Sequence, residues 1–266
     1  MSNKKDSLGD RMKRYEGVAK TSLVSRMPVI LRLDGCHFHT FTKGFAKPFD
    51  DILIQTMQMT MKYLCESIQG CVFGYTQSDE ITLVLVDYKN INSSAWFDNE
   101  VQKMCSVAAS MCTMAFNRYF AYNVDNSDIG VNDDMWGVYM NAIRKGAYFD
   151  CRAFNVPKED VCNCVLWRQQ DATRNSIQML AQANFSHKSL QGLNCNMLQD
   201  KLMTEKGINW NDLDTVKKRG TACIKAYCMD GVKTRTKWVL DYSMPILTQD
   251  RSYIEQLINF EYHNCE

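Results

Sequence analysis

Two short apolar segments joined by only two residues constrain the fold of this chain more than any other feature of its sequence. Residues 71–77 (CVFGYTQ) and 80–86 (EITLVLV) are rich in aromatic and β-branched side chains, and Ser78 and Asp79 lie between them. Segments of this composition, separated by two residues, are typical of a β-hairpin. The hairpin places two adjacent carboxylates, Asp79 and Glu80, at its tip.

The segments on either side of the hairpin predict the order of the remaining elements. Residues 27–33 form an apolar run before Asp34 and Gly35, which is typical of a buried strand that ends in a turn. Two helices, at 48–69 and near 99–120, and a strand at 148–157 follow from the apolar spacing. The order strand, helix, strand, strand, helix, strand predicts an α+β, ferredoxin-like (split βαβ) antiparallel sheet with helices on one face.

The second half of the chain predicts a smaller unit on the same core. Residues 121–147, rich in Asn, Asp and Gly, form either a loop or a partner-binding arm, and 158–182 form a helix. We expect a catalytic domain over 1–184 with an N-terminal arm. A C-terminal α/β annex over 185–266, with strands around 221–228 and 235–241, packs on it.

Composition and charge favour a folded protein outside membranes. Of 266 residues, 45% are hydrophobic and 23% charged, which is ordinary globular composition. The first residues lack the apolar stretch of a signal peptide, and no run of about 18 apolar residues occurs, so we expect a cytoplasmic protein. The net charge is only +1, but basic residues are bunched, as at 217–219, where they form either a solvated surface or phosphate contacts.

The carboxylates at the strand ends predict a metal site. In a split βαβ sheet the first strand lies beside the hairpin, so Asp34 and Asp79 can converge. Mg²⁺ prefers oxygen ligands and is usually held by one or two carboxylates together with substrate phosphates. Lys43 or Lys47 could bind the same phosphates. This pattern indicates metal-dependent nucleotidyl transfer, although an Asp-Gly pair is more often a simple turn.

Four ordered sequence blocks resemble the tRNA-histidine guanylyltransferase superfamily, which includes guanylyltransferase-like 3′-5′ RNA polymerases. The blocks are RLDGCHFHTF (32–41), FAKPFDD (45–51), GYTQSDE (74–80) and LWRQQDATRNS (166–176). The similarity extends from Arg11 to about Asn184, and a weaker match follows at 217–222 (KKRGTA). It implies a fold like the polymerase palm domain and a homotetramer built as a dimer of dimers.

The resemblance implies a role for each matching residue. Asp34 and Asp79 would be the metal-binding carboxylates, completed by the Gly35 carbonyl and supported by Glu80, and these three acidic residues would be the catalytic residues. The nucleotide would be held by the 35–39 turn and three further side chains: Gly35, Cys36, His37, Phe38, His39, Lys47, Asp50 and Ser78. The RNA would be contacted by Arg168, Arg174, Asn175, Lys217, Lys218 and Arg219.

The reaction implied by the resemblance has two steps and uses two Mg²⁺ ions. ATP or GTP activates the 5′-monophosphate of a tRNA, and the 3′-hydroxyl of an incoming nucleoside triphosphate then attacks the activated end.

The family's His-Ile-Asn-Asn block is replaced by Thr173, Arg174, Asn175 and Ser176. The missing histidine favours template-dependent repair of truncated tRNA 5′ ends over dedicated guanylate addition to histidine tRNA. Phe49, where many relatives are polar, bears on nucleotide preference.

Two other functions are compatible with a palm-like sheet. Nucleotide cyclases also pair two acids on such a fold, but the chain has no Gly-Gly-Asp/Glu hairpin and the Trp-Arg-Gln block has no role there. A non-catalytic RNA-binding module would keep the fold without the chemistry. The presence of all three acids, Asp34, Asp79 and Glu80, favours an enzyme.

Overall fold

The computed structural model describes residues 7–130, 133–230, 233–259 and 263–264, which are built around one twisted sheet. Six strands run antiparallel to their neighbours in the order β4-β1-β3-β2-β5-β6, and β7 pairs in parallel with β5. The strands are β1 (Val29–Gly35), β2 (Cys71–Gln77), β3 (Glu80–Leu85), β4 (Phe149–Asn155), β5 (Thr221–Asp230), β6 (Lys233–Asp241) and β7 (His263–Asn264).

Helices connect and cover these strands. They are α1 (Leu8–Gly17), α2 (Phe38–Phe41), α3 (Asp51–Ser67), α4 (Val101–Asp125), α5 (Asp134–Lys145), α6 (Val161–Asn184), α7 (His187–Leu190), α8 (Cys195–Lys206), α9 (Thr215–Arg219) and α10 (Ser252–Ile258). Short 3-10 turns lie at Trp96–Asn99, Lys158–Asp160 and Trp210–Asp212. Within the described ranges, none of the helices combines the length and the apolar character needed to cross a membrane.

The predicted split βαβ motif is confirmed. The elements β1, α3, β2, β3, α4 and β4 follow in that order, and their strands lie in the spatial order 4-1-3-2 numbered along the motif. The β2–β3 hairpin closes through Ser78 and Asp79, with Gln77 opposite Glu80. Ser78 adopts a left-handed backbone (φ 49°), as tight two-residue hairpin turns require.

The helices α3 and α4 cover one face of the sheet, as predicted. Leu31 and Leu33 of β1 and Leu83 of β3 point to this face, where they are fully buried against Met61 of α3 and Phe116 of α4. Their alternation along the strands with side chains of the other face follows from the two-residue period of a strand. This face carries the main aromatic cluster of the protein.

The opposite face is also covered, which the sequence did not reveal. Ile30, Phe73 and Val84 project to it and pack against Val165 of α6 and Ile254 of α10. Both helices come from the second half of the chain. The sheet is therefore buried on both faces at this end.

Part of the predicted C-terminal annex continues the central sheet. Residues Phe73 to Thr76 of β2 pair with Thr221 to Ile224 of β5, and β6 adds the edge strand. A separate small core, built around Ile177, Leu202 and Trp210, joins the end of α6 to α8. The predicted domain boundary at residue 184 stays a prediction. The two parts are joined by the sheet, in which β2 pairs with β5, and by α6, which packs on α8.

The segment 121–147 is largely helical instead of forming a long loop. The helix α4 runs to Asp125, and α5 begins after Asp133, whose side chain caps it by accepting from Met135 N (2.8 Å). Tyr139 of α5 is buried against the aromatic cluster. The Asn- and Asp-rich composition therefore marks the helix ends, where such residues are favoured.

Candidate active site

Asp34 and Asp79 occupy adjacent positions at one end of the sheet. Asp34 lies on β1 opposite Glu80 of β3, and Gly35 N donates to Asp79 O (3.1 Å). The first strand thus ends against the hairpin tip. The convergence expected from the split βαβ order is present in the structure.

The environment of Asp79 suits a bound cation. Burial raises the pKa of Asp79, and the nearby Asp34 carboxylate raises it further, whereas Ser78 Oγ donates to Asp79 Oδ1 (3.0 Å) and opposes the rise. Two neighbouring carboxylates without a cation between them repel each other, so a positive ion stabilises both.

The available donors fit Mg²⁺. Asp34, Asp79 and the Gly35 carbonyl offer only oxygen, the ligand type that Mg²⁺ prefers. Within the described ranges, no group of three or more His, Cys, Asp or Glu side chains is arranged to hold a metal ion. Substrate phosphates and water would therefore complete the coordination, as is common for this ion.

The turn after β1 packs closely on the core beneath it. A Cβ on Gly35 would lie 2.1 Å from Phe38 Cδ2, so only glycine fits here. Cys36 N donates to Tyr148 O (2.9 Å), and His37 is exposed with a left-handed backbone (φ 54°). The 35–39 turn is therefore held in place by the buried Phe38 ring and by the backbone bonds of Gly35 and Cys36.

Most of the predicted nucleotide-binding side chains line one cleft of about 300 Å³. This volume lies at the lower end of the usual range for small-ligand sites, roughly 300–1,000 Å³. The predicted residues in its wall are Phe38, His39, Lys47, Asp50, Ser78 and the metal-site residue Asp79. Cys36 and His37 lie in the adjoining turn and do not line it.

Asp50 holds the wall of this cleft together. Its Oδ1 accepts from Leu53 N (2.9 Å) and so caps α3, while its Oδ2 accepts from Ala46 N (3.0 Å) and from Tyr139 Oη (2.7 Å). Burial and this bond raise the pKa of Tyr139, which remains a neutral donor. The Tyr139 contact was not predicted, because α5 was not recognised as a helix from its sequence.

Glu80 forms a buried ion pair with Arg168 of α6. Arg168 Nε donates to Glu80 Oε1 (2.6 Å) and Nη2 donates to Oε2 (2.8 Å), and Nη2 also reaches Asp171 Oδ2 (2.8 Å). Burial raises the pKa of Glu80, and the guanidinium opposes that rise by favouring the charged carboxylate. Both Glu80 oxygens are therefore occupied, which suits the supporting role expected of it.

The buried position of Arg168 does not fit the predicted RNA contact. Arg168 is only 7% exposed and its guanidinium is committed to Glu80 and Asp171. The spacing of 168, 171 and 175 correctly placed these side chains on one helix face, but that face turns inward. Asn175 Nδ2 donates to Asp171 Oδ2 (3.3 Å), and only Arg174, also paired with Asp171, is largely exposed.

The basic residues of α9 reach a second, smaller cleft of about 80 Å³. Lys217 and Lys218 line it together with Asn175 and Ser78, which also lines the first cleft. Lys217 Nζ pairs with Asp51 (2.9 Å) at the start of α3. From these positions the two lysines can contact a phosphate bound in the cleft, as predicted for them.

Arg219 is held by contacts within the protein. Its Nη2 donates to Thr215 Oγ1 (3.3 Å), and its carbonyl accepts from Tyr75 Oη (2.6 Å). Its Nε is buried without a hydrogen-bond partner among the described residues. Arg219 therefore joins α9 to β2 through its carbonyl, and part of its guanidinium is buried.

Asp150 and Arg152 of β4 belong to the site but were missed. Asp150 lies opposite Asp34 in the register, and Arg152 lies opposite Arg32. Arg152 approaches Asp34 (3.9 Å) and Asp150 (3.5 Å). Their alternation predicts a shared strand face, but only the β1–β4 register brings that face to Asp34.

Comparison with known proteins gives this arrangement a family. The family model described as tRNAHis guanylyltransferase (Thg1) matches residues 9–157, which is more than half of the chain. An uncharacterized protein of Acanthamoeba polyphaga mimivirus is 28% identical over 96% of this chain and 89% of its own length.

Two solved structures extend the similarity to nearly the whole fold. A bacterial tRNA(His) guanylyltransferase-like protein in complex with ATP superposes with a TM-score of 0.81 and 45% identity, covering 95% of this chain and 99% of that one. A complex with GTP gives 0.79 and 42% over the same shares. These matches confirm the predicted palm-like fold. The chain therefore belongs to the tRNAHis guanylyltransferase (Thg1) family and is a nucleotidyltransferase.

Proposed function

We propose that the protein adds nucleotides to the 5′ end of truncated tRNA in the 3′-to-5′ direction, guided by a template. The observation that carries this proposal is the pairing of Asp34 and Asp79 beside a cleft that contains Lys47 and Ser78. Carboxylates next to a cleft that contains a lysine and a hydroxyl group suit nucleoside triphosphates bound with divalent ions. The similar bacterial proteins solved with ATP and with GTP support the same substrates here.

Each residue of the site has a defined task in this proposal. Asp34, Asp79 and the Gly35 carbonyl would hold two Mg²⁺ ions, which would stabilise the negative charge that develops on the reacting phosphate groups. Lys47 and Ser78, with backbone amides of residues 37–39, hold the triphosphate; the amides of Gly35 and Cys36 already donate within the protein. Glu80, fixed by Arg168, keeps the start of β3 in place next to Asp79.

The chemistry consists of two phosphoryl displacements. First, an oxygen of the tRNA 5′-monophosphate attacks the α-phosphorus of ATP or GTP, and pyrophosphate leaves. Second, the 3′-hydroxyl of the incoming triphosphate loses its proton and attacks the activated 5′-phosphorus, and a nucleoside monophosphate leaves. Positioning and charge stabilisation supply most of the catalysis in such reactions, so one site can serve both steps.

The choice of truncated tRNA rests on the segment 173–176. Position 173 is Thr, where the family resemblance implies a histidine in proteins that add guanylate to histidine tRNA. In the structure Ser176 is buried and accepts from Trp210 Nε1 (3.0 Å), so the segment also anchors the C-terminal part. Dedicated guanylate addition to histidine tRNA is the second candidate, and the description of the matching family favours it.

The test uses purified protein, Mg²⁺, ATP and GTP with two 5′-monophosphorylated RNAs. One is intact histidine tRNA, and the other is a tRNA lacking its first nucleotide. We expect the truncated RNA to gain the nucleotide that pairs with its template base, and Asp34→Ala or Asp79→Ala to abolish this while RNA binding persists. Extension of intact histidine tRNA alone would identify the guanylate-adding candidate, and full activity of the alanine variants would refute the metal assignment.

We also propose that the protein acts as a homotetramer, a dimer of dimers. The helix α1 buries none of its side chains in its own chain and exposes an apolar stripe, Leu8, Met12 and Tyr15. Residues spaced four and three apart lie on one helix face, so the stripe can pack on a second copy. Light scattering should give a mass four times that of the chain, and Met12→Glu should reduce it.

A further inference from the structure

The Trp-Arg-Gln segment of α6 contains two residues with internal tasks and one without. Arg168 clamps Glu80, and Gln169 ties a C-terminal segment to α6, since its Nε2 donates to Pro245 O (2.8 Å) and its Oε1 accepts from Leu247 N (3.0 Å). Trp167, by contrast, is 52% exposed. The other tryptophans are buried or partly buried, so Trp167 differs from all four.

Two guanidinium groups hold the exposed indole in place. Cζ of Arg168 lies 4.5 Å from the Trp167 ring centroid, and Cζ of Arg32 lies 5.4 Å from it. Both distances are within the range of cation–π contacts, roughly 6 Å. Because Arg168 is itself anchored to Glu80, the ring has a defined orientation before any ligand arrives, which reduces the entropy lost on binding.

Through Arg32, the indole lies beside the strand that carries Asp34. Arg32 precedes Asp34 by two residues on β1, so both side chains project to the same face of the sheet, the face covered by α6. Arg152, opposite Arg32, is half-exposed and approaches Asp34. Arg32 Nε is buried and has no hydrogen-bond partner among the described residues. The surface next to Trp167 therefore carries the positive charges of Arg32 and Arg152, which can bind an anionic ligand.

We propose that Trp167 is the stacking platform for a nucleobase at the 5′ end of the RNA substrate. An aromatic ring beside cationic groups is the usual way in which proteins hold unpaired bases without reading their sequence. Stacking on Trp167 places the RNA end over the strand that carries Asp34, with Arg32 and Arg152 available to its phosphates. This inference rests on the proposed function and adds to it the residue that positions the RNA.

The first experiment uses the fluorescence of Trp167. Titration with the truncated, 5′-monophosphorylated tRNA should quench wild-type emission, because the exposed indole becomes covered by a base. Trp167→Phe should bind the RNA with nearly wild-type affinity and lose most of the quenching, since phenylalanine keeps a stacking ring. Quenching by GTP alone, with none by RNA, would overturn the platform in favour of a site for the incoming nucleotide.

The second experiment removes the ring. Trp167→Ala should weaken RNA binding about 5- to 150-fold, the range expected from losing one base–aromatic stack. The KM for RNA should rise and the KM for GTP should stay unchanged. Tyr122→Ala, which removes another exposed ring from α4 on the other face of the sheet, should leave both constants as they are. Circular dichroism verifies that each variant is folded.

The outcomes separate this inference from the proposed function. Wild-type RNA affinity in Trp167→Ala would overturn the platform, whether or not the wild-type protein extends RNA. Quenching by RNA without extension of any RNA would refute the proposed function and leave the platform standing.

Discussion

Arg168 and Glu80 form a two-point ion pair in the interior, with Nε 2.6 Å from Oε1 and Nη2 2.8 Å from Oε2. Their side chains are 9% and 11% exposed. The fork of the guanidinium matches the two carboxylate oxygens, which makes such a pair strong and directional. Because Glu80 follows Asp79 and lies opposite Asp34, this pair joins α6 to the strand ends that carry both proposed metal ligands.

Removing Arg168 should destabilise the protein strongly. Arg168→Ala leaves the Glu80 carboxylate buried and without its partner, a change that typically costs about 3–5 kcal/mol. Urea unfolding should show this loss in the free energy of unfolding. Arg174→Ala removes an exposed arginine from the same helix and should change it by less than about 0.5 kcal/mol. Equal losses in both variants would contradict the structural role of the Arg168–Glu80 pair.

Magnesium should stabilise the wild-type protein through Asp34 and Asp79. At a concentration one hundred times its Kd, a ligand that binds only the folded state adds about 2.7 kcal/mol to the free energy of unfolding. Asp79→Asn should lose this gain, yet be more stable than the wild type in EDTA, because it removes a carboxylate that burial and Asp34 disfavour. Thermal melts with and without Mg²⁺ measure both effects.

The control for the magnesium experiment is Asp128→Asn. Asp128 is an exposed carboxylate beyond the end of α4, so its removal should leave the magnesium response unchanged. A normal response in Asp79→Asn would show that the ion binds elsewhere.

Two glycines should respond in opposite ways to alanine. At Gly35 the new methyl group meets the buried Phe38 ring, and such overpacking typically costs about 1–3 kcal/mol. At Gly137, inside α5, a methyl group meets nothing within 4 Å, and alanine in a helix is favoured over glycine by about 0.5–1 kcal/mol. Urea unfolding of Gly35→Ala and Gly137→Ala should therefore show a loss and a gain. A loss in both would mean that α5 is not an ordinary helix at this position.

Tyr139→Phe should weaken the nucleotide cleft without removing any of its lining residues. The change deletes the hydroxyl that donates to Asp50 Oδ2, and an unsatisfied buried acceptor costs about 1–3 kcal/mol. The 46–50 loop would become less ordered, so the KM for the activating nucleotide should rise. Tyr148→Phe removes the hydroxyl of a half-exposed ring and is the matched control. It should change neither the melting temperature nor the KM for the activating nucleotide. An unchanged melting temperature in Tyr139→Phe would show that Asp50 does not depend on this bond.

The local elements were readable from the sequence for clear physical reasons. The hairpin followed from two β-rich segments with a two-residue turn, and α3 and α4 followed from apolar spacing of three and four residues. The helix α5 was missed, because its Asn- and Asp-rich flanks resemble a loop in composition although they cap the helix. The helices α6 and α10 on the second face were not foreseen as a layer, because spacing identifies an apolar face but not the surface it covers.

By itself the sequence determined the split βαβ order, the placement of Asp34 and Asp79 at neighbouring strand ends, and the family resemblance. These properties depend on local periodicity, turn length and residue identity. Only the tertiary structure decided that Arg168 reaches Glu80 and that Tyr139 reaches Asp50, contacts that span 88 and 89 residues of the chain. The reason is physical: which distant side chains meet depends on strand register and on how helices pack across the sheet, and neither is a property of any short segment.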